Sequence, residues 1–309
     1  MASAWLTEWS ESLPAQPRRS QLLQPQLWSA LADVAERTSD HWLIERFWQL
    51  VDQLPPPPTK DDSLPLLGIP ILNRVDLLFD LLESLDHPVQ VLAIVDNSQA
   101  RQGTSTSEVS TQLEALRQLG HPLIDRIHIA RPFRNLGVAA SWNLILSSFP
   151  EATISLLANN DIRFAPGVIR SALRLIDNSR PQFLPLLPEP NGFSAFLLTA
   201  LCWDRAGLFD TGFHPAYCED LDYRDRLRAI PEVEWISGSD LLVAMDDLNQ
   251  THSATIDHDP WLKEQNRVSF ALNRLWYLSQ RRVRQDCRGS WRRLWLTQWS
   301  DRPDRDPAS

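Results

Sequence analysis

The chain has 309 residues, 43% of them hydrophobic and 22% charged, a globular composition rather than a disordered one. Ten Gly, 23 Pro and three Cys exclude collagen-like and disulfide-scaffold classes, and a formal net charge of −9 argues against a general nucleic-acid binder. No apolar run reaches the length of about 18 residues that a membrane-spanning helix needs. Met1 to Trp9 lacks the basic and apolar regions of a secretory signal, so a cytoplasmic location is expected.

Lys occurs only at Lys60 and Lys263, and the rest of the basic set is Arg, read here as genome composition. Cys202, Cys218 and Cys287 form no CxxC pair, which favours small buried thiols over a zinc site.

Residues 1–54 carry Trp5, Trp9, Trp28, Trp42 and Trp48 at helix-like spacing and read as an N-terminal helical extension. Residues 55–63 open with Pro55-Pro-Pro-Pro58, a semi-rigid linker, because consecutive prolines favour polyproline II. Residues 64–257 alternate short apolar runs with helical periods, the β-then-α pattern of a mostly parallel sheet flanked by helices. In chain order the expected elements are a buried strand over 65–72, a helix over 75–85, a strand over 91–95 ending on Asp96, and a helix over 108–119. A strand over 126–130, a helix over 137–149, a strand over 153–158 running into Asn159-Asn160-Asp161, and a helix over 166–176 follow. A later strand is expected over 241–245. Residues 258–309 form a C-terminal helical extension whose long helical pattern starts at Pro260.

In open α/β sheets, ligands bind outside the carboxyl ends of the strands. Asn73-Arg74, Asp96 and Asp161 all stand at such ends. Singly, each reads as a helix cap or a turn residue; together they outline one cleft.

Five motifs then occur in order. They are Pro70-Ile-Leu-Asn73-Arg74, Val95-Asp96-Asn97-Ser98, Asn135-Leu-Gly137-Val-Ala-Ala-Ser-Trp-Asn143, and Asn159-Asn160-Asp161 followed by Phe164-Ala-Pro-Gly167. The last is Gly207-Leu-Phe209-Asp210 leading to Glu219-Asp220-Leu-Asp222-Tyr-Arg-Asp-Arg226. With these, residues 66–257 resemble the family 2 glycosyltransferases of GT-A fold, whose Rossmann-like, mostly parallel central sheet is flanked by helices. Two departures stand out: no Gly follows Asp96-Asn97, and Asn159 replaces a frequent Asp, leaving one charge fewer for a metal.

The resemblance implies transfer of a sugar from a nucleotide-diphospho-sugar to an acceptor hydroxyl with inversion, assisted by a divalent cation, Mn or Mg. A diphosphate leaving group concentrates negative charge, and a hard cation on oxygen ligands neutralises it. By resemblance Asp161 holds the metal. His252 is a third metal ligand or a diphosphate contact, with His258 as a nearby competitor. Asn159 and Asn160 add amide oxygens or contact ribose. Pro70, Asn73 and Arg74 line the donor site, and Asp96 accepts the imide N–H of uracil or thymine, favouring UDP- or dTDP-sugars. Asn135, Gly137 and Asn143 hold ribose or diphosphate, or else cap and pack the following helix; Gly137 lets backbone approach a ligand closely.

By resemblance Asp220 is the base and Glu219 a ligand of the acceptor hydroxyl; a carboxylate near another gains basicity, which suits a base. The plainer reading is that acids in a first helical turn favour the helix dipole. That reading is preferred for Asp222 and Asp225, with Arg224, Arg226 and Arg228 as their partners. The acceptor is a saccharide, a lipid-linked sugar or a protein, with polysaccharide biosynthesis as the setting, and residues 181–203 line its side. The alternatives are a catalytically silent nucleotide-sugar-binding or scaffold protein on the same fold, and a nucleotidyltransferase. The latter would want a Gly-rich phosphate loop where Asn73-Arg74 stands.

In the tail, Trp291, Trp295 and Trp299 share one helix face beside Arg288, Arg292 and Arg293. Packing on the core or on the N-terminal tryptophans is the expectation. Peripheral docking on an anionic membrane and a protein-partner face are the alternatives.

Overall fold

A strand covered on both faces reads as an unbroken apolar run, and Leu64–Ile71 (β1) is one: all 8 residues are buried. A computed structural model of the chain describes residues 63–98, 107–237 and 260–280, and before them only Ser29, Ala32, Asp33, Glu45 and Gln49, all helical. The chain divides into two compact units, Met1–Pro58 and Thr59–Ser309. The proline linker, the strand over 241–245, His252, His258, Cys287 and the Trp/Arg tail lie outside the described residues, as does nearly all of the N-terminal extension.

The second unit runs β1, α1 (Val75–Glu83), β2 (Val89–Asp96), α2 (Glu108–Leu119), β3 (Ile124–Ala130), α3 (Gly137–Ser148), β4 (Ile154–Ala158) and α4 (Val168–Leu175). It continues with β5 (Gln182–Pro185), a 3-10 turn (Gly192–Ser194), β6 (Ala195–Thr199), α5 (Ala200–Ala206), α6 (Glu219–Ala229), β7 (Glu234–Trp235) and α7 (Pro260–Gln280). Side-chain caps start two of the helices. The Ser107 hydroxyl accepts from the Ser110 amide to cap α2, and Thr199 accepts from Cys202 to cap α5.

Among the described residues the strands form one seven-stranded sheet in the order β3-β2-β1-β4-β6-β5-β7. Every pairing that excludes β6 is parallel; β6 runs antiparallel to β4 and β5. The mostly parallel α/β sheet expected from the sequence is therefore present. Strand order reverses between β1 and β4, which puts a crevice outside their carboxyl ends.

Two apolar layers cover the sheet. On one face Leu67, Ile69 and Ile71 pack with Leu78, Leu113 and Ile169 from α1, α2 and α4. On the other, Leu66, Val91 and Val95 pack with Trp142 and Ile145 of α3 and with Tyr223 and Leu227 of α6. Gly68 sits beneath α3: a Cβ there would come within 2.6 Å of Leu157 Cδ2 and 2.7 Å of Ile145 Cγ2. Gly68→Ala is expected to destabilise the fold by about 1–3 kcal/mol through overpacking, read as a lower denaturant midpoint at unchanged slope.

Residues 181–203, read from sequence as acceptor lining, are largely sheet. Phe183, Leu184, Phe196 and Leu197 are fully buried in β5 and β6, leaving 186–191 as the loop that reaches the carboxyl edge. Cys202 and Cys218 are free and buried, and burial pushes both thiols up to about 12. No helix among the described residues is long and apolar enough to cross a membrane.

Candidate active site

The turns after β1 and β4 meet at the crevice. Asn160, buried, donates through Nδ2 to the Arg74 carbonyl at 3.2 Å and to the Asn73 carbonyl at 3.4 Å. Arg74 holds the left-handed conformation (φ 53°) as the cap of α1, and its guanidinium pairs with Asp76 at 2.7 Å. Pro70 lies in β1 opposite Val95, buried beneath this turn. Asn159 and Asp161 flank Asn160, both half-buried, and the Asn159 amide donates to the Ser194 carbonyl at 2.8 Å.

Asp96, at the end of β2, is 2% exposed and held from three sides. It accepts from the Ser98 amide at 3.0 Å and the Ser98 hydroxyl at 2.5 Å, and also from the Ser110 hydroxyl. Arg131 Nε stands 3.6 Å from its Oδ2. Asn97 beside it donates to the Ser141 hydroxyl and accepts from the Leu136 amide, each at 2.9 Å, tying β2 to the start of α3. Ser98 was legible as part of the Asp-Asn-Ser motif. Ser110 and Arg131 gave no signal in the sequence, since only the folded sheet brings them to Asp96.

The Asn135–Asn143 motif serves the chain's own backbone. Asn135 Oδ1 accepts from the Gly137 amide at 2.8 Å. Gly137 has φ 76°, and the space where its Cβ would stand is taken by Pro215, whose carbonyl oxygen would be 2.5 Å away. Asn143 uses both ends of its amide on Phe209, donating to the carbonyl at 2.8 Å and accepting from the amide at 2.9 Å. Of the two readings open for this motif, packing and capping describe these contacts.

Glu219 and Asp220 open α6 after two residues with positive φ, Tyr217 (79°) and Cys218 (70°). Such backbone costs roughly 1–3 kcal/mol per residue in non-glycine positions and persists only where packing holds it. Glu219 is 5% exposed, and its Oε2 has no hydrogen-bond partner among the described residues. Asp220 is half-buried and accepts from the Leu221 amide at 2.8 Å. Burial, and then the charge of Asp220, hold the Glu219 carboxyl well above the usual range; burial also raises Asp220 and Asp161.

Among the described residues, no Arg, Lys or His forms an ion pair with Asp161, Glu219 or Asp220. Some acids elsewhere are paired: Asp222 with Arg226 at 2.9 Å, Asp225 with Arg224 at 3.8 Å and Glu234 with Arg180 at 3.0 Å. Arg226 and Arg224 thus pair with Asp222 and Asp225 as read from sequence, whereas Arg228 pairs with Glu189 instead, at 3.8 Å. Arg226 also donates to the Ala206 carbonyl at 2.7 Å, tying α6 to the end of α5.

A raised carboxyl makes a testable statement about stability. The folded pKa of Glu219 exceeds the unfolded value, so its contribution is fully present below the ordinary glutamate value of 4.5 and is lost as pH rises through the folded value. Glu219→Gln is therefore expected to raise the melting temperature above that of the wild type at alkaline pH. The gain should fade toward pH 4.5. Equal melting temperatures across the whole range would show that Glu219 ionises freely in the fold.

No three His, Cys, Asp or Glu side chains gather as a metal cage among the described residues. Asp161 nonetheless suits a hard divalent cation. It offers one half-buried carboxylate with no ion-pair partner among the described residues, and Mg-type ions are held by one or two carboxylates, substrate phosphates and water. Asn159 and Asn160 adjoin it, and His252 is outside the described residues.

No protein-family model matches the chain, and no curated protein matches it. Solved structures give partial likenesses. S. aureus TarS aligns at 14% identity and a TM-score of 0.42, over 57% of this chain and 35% of that one. S. aureus TarS 1-349 in complex with UDP-GlcNAc aligns at 15% and 0.41, over 57% and 56%. GalNAc-T7 with UDP, GalNAc and Mn2+ aligns at 8% and 0.44, over 58% and 43%. This chain spans less than two thirds of the length of each of the three. What the site can do follows from its own side chains.

Proposed function

We propose that the chain is an inverting glycosyltransferase, moving a sugar from a UDP- or dTDP-linked donor to an acceptor hydroxyl, as the family 2 enzymes it resembles do. The observation that carries this reading is the trio of carboxyls on Asp161, Glu219 and Asp220. All stand in motifs of that resemblance, all are raised by burial, and none forms an ion pair among the described residues, the charge of Arg224 offsetting the rise at Asp220 only in part.

Asp220 takes the acceptor proton as the acceptor oxygen forms its bond to the anomeric carbon and the bond to the diphosphate breaks. Its raised pKa brings the base closer to neutral pH, where a general base is most effective. Glu219, whose carboxyl burial raises well above the usual range, orients the acceptor hydroxyl by hydrogen bonding. Asp96, fixed by Ser98, Ser110 and Arg131, retains acceptor capacity for a base imide, because a carboxylate offers about four lone-pair sites. Asp161 would hold the divalent cation, with Asn159 and Asn160 beside it and His252 as a further ligand. A bound Mn or Mg ion supplies charge neutralisation of the leaving diphosphate. Saccharide, lipid-linked and protein acceptors all suit this chemistry. Cytoplasmic action, with peripheral membrane contact through the Trp/Arg tail, belongs to the same proposal.

A thermal-shift panel of nucleotide-sugars and nucleoside diphosphates, with and without Mn, tests donor binding, since a ligand of the folded state raises its melting temperature. A metal-dependent shift with uridine or thymidine nucleotides is expected. No shift with any nucleotide would overturn the reading.

A further inference from the structure

The loop that delivers Glu219 and Asp220 is gripped by a helix beyond the motif-bearing region. Asn273 of α7 is fully buried, and its Nδ2 donates to the Ala216 carbonyl at 2.8 Å and the His214 carbonyl at 3.2 Å. The carbonyl between them, on Pro215, accepts from the Val138 amide at 2.7 Å. Three successive carbonyls of this loop are thus bound, two by α7 and one by the start of α3. The same helix supplies Asn266, whose Nδ2 donates to the Tyr217 hydroxyl at 2.8 Å, and Phe270, whose ring stands edge-on to Tyr217. Trp276 packs with Phe213 and Cys218. The contacts enclose Tyr217 and Cys218, the two residues of unfavourable backbone that immediately precede the acidic pair.

Buried amide bonds of this kind fix one loop geometry, because breaking them leaves carbonyls unsatisfied in a dry site. Positive φ at Tyr217 and Cys218 turns the chain sharply into α6 and so sets where Glu219 and Asp220 point. Without the grip from α7, those two residues would relax toward ordinary backbone and carry the carboxyls with them.

We infer that Asn273 is a positioning residue: it holds the 214–218 loop so that Glu219 and Asp220 face the acceptor hydroxyl, an assignment that rests on the glycosyltransferase reading. The segment from Pro260 to Gln280 is then part of the working enzyme although it carries none of the motifs. It touches no reacting atom and acts only through the loop.

The test is Asn273→Ala in the full chain, with two readouts. Amide hydrogen exchange at Val138 reports the loop directly, because its partner is Pro215; protection there should fall roughly tenfold while Leu67 in the central strand stays protected. Turnover per nucleotide-binding site should fall at least about tenfold, with nucleotide affinity and the KM for the donor unchanged. A role in stability alone would reduce the number of binding sites and leave turnover per site intact. Unchanged protection at Val138 overturns the inference, and so does a loosened loop with full turnover per site. If Asn273→Ala fails to fold, Asn266→Ala, which removes the half-buried bond to Tyr217, is read by the same two measurements. A wild-type chain that turns over no nucleotide-sugar would instead defeat the glycosyltransferase reading, and exchange at Val138 would still decide whether Asn273 holds the loop.

Discussion

Asp220→Asn is expected to lower sugar transfer by roughly 10²–10⁴-fold, the span a positioned general base contributes, while nucleotide affinity stays as in the wild type. The substitution keeps the size of the side chain and an oxygen that can accept from the Leu221 amide, as Asp220 does at 2.8 Å. It removes only the basicity. The start of α6 should survive for that reason, and a normal melting temperature is the control. Because burial raises the Asp220 carboxyl, wild-type activity should fall on acidification from a higher pH than an exposed aspartate would give. That acid limb should vanish in the variant's residual activity. Transfer at the wild-type rate would remove Asp220 as the base.

Asp161→Ala carries the second large effect, and it falls on the donor rather than on the proton. The half-buried carboxyl, raised by burial, has no protein counter-ion among the described residues, so a divalent cation relieves an unfavourable arrangement. Removing it should weaken Mn-dependent binding of a nucleoside diphosphate by at least about tenfold, ~1.4 kcal/mol. The metal requires the deprotonated carboxylate, so wild-type affinity for Mn should rise with pH through the Asp161 titration and release a proton on binding. Titration calorimetry in buffers of different ionisation heat reads both. Equal nucleotide affinity in the variant, with and without Mn, would take the metal role from Asp161.

The parts of this molecule that were legible in its sequence share one property: their signal is local. β1, β2 and β4 are short apolar runs that stop on polar residues, and the structure places Asp96 and Asp161 at those stops. The Glu219-Asp220 pair was legible through its motif, Glu219-Asp220-Leu-Asp222 with Arg226 following, at the start of a helix. β5 and β6 were not legible as strands. Pro185, Pro188 and Pro190 interrupt the apolar run after Phe183, and the antiparallel partner that makes β5 a strand lies beyond that loop.

The Asn135–Asn143 spacing leaves ligand contact and packing open, and the partner of Asn143 is Phe209, 66 positions further on. The grip of α7 was hidden for the same reason. Asn273 reads as a polar residue in a helix, and only the docking of that helix, 57 residues downstream of Ala216, gives it a purpose. Side-chain bonds across such distances follow from packing, which no local period encodes.

The central claim is that the carboxyls of Asp161, Glu219 and Asp220 serve sugar transfer from a nucleotide donor. Mass spectrometry of the wild type and of Asp220→Asn, each incubated with UDP- and dTDP-sugars, Mn and a panel of simple saccharides, tests it most directly. The account requires release of a nucleoside diphosphate with a matching glycosylated product from the wild type, and its loss in the variant. Release of pyrophosphate, or equal product from both proteins, would contradict it.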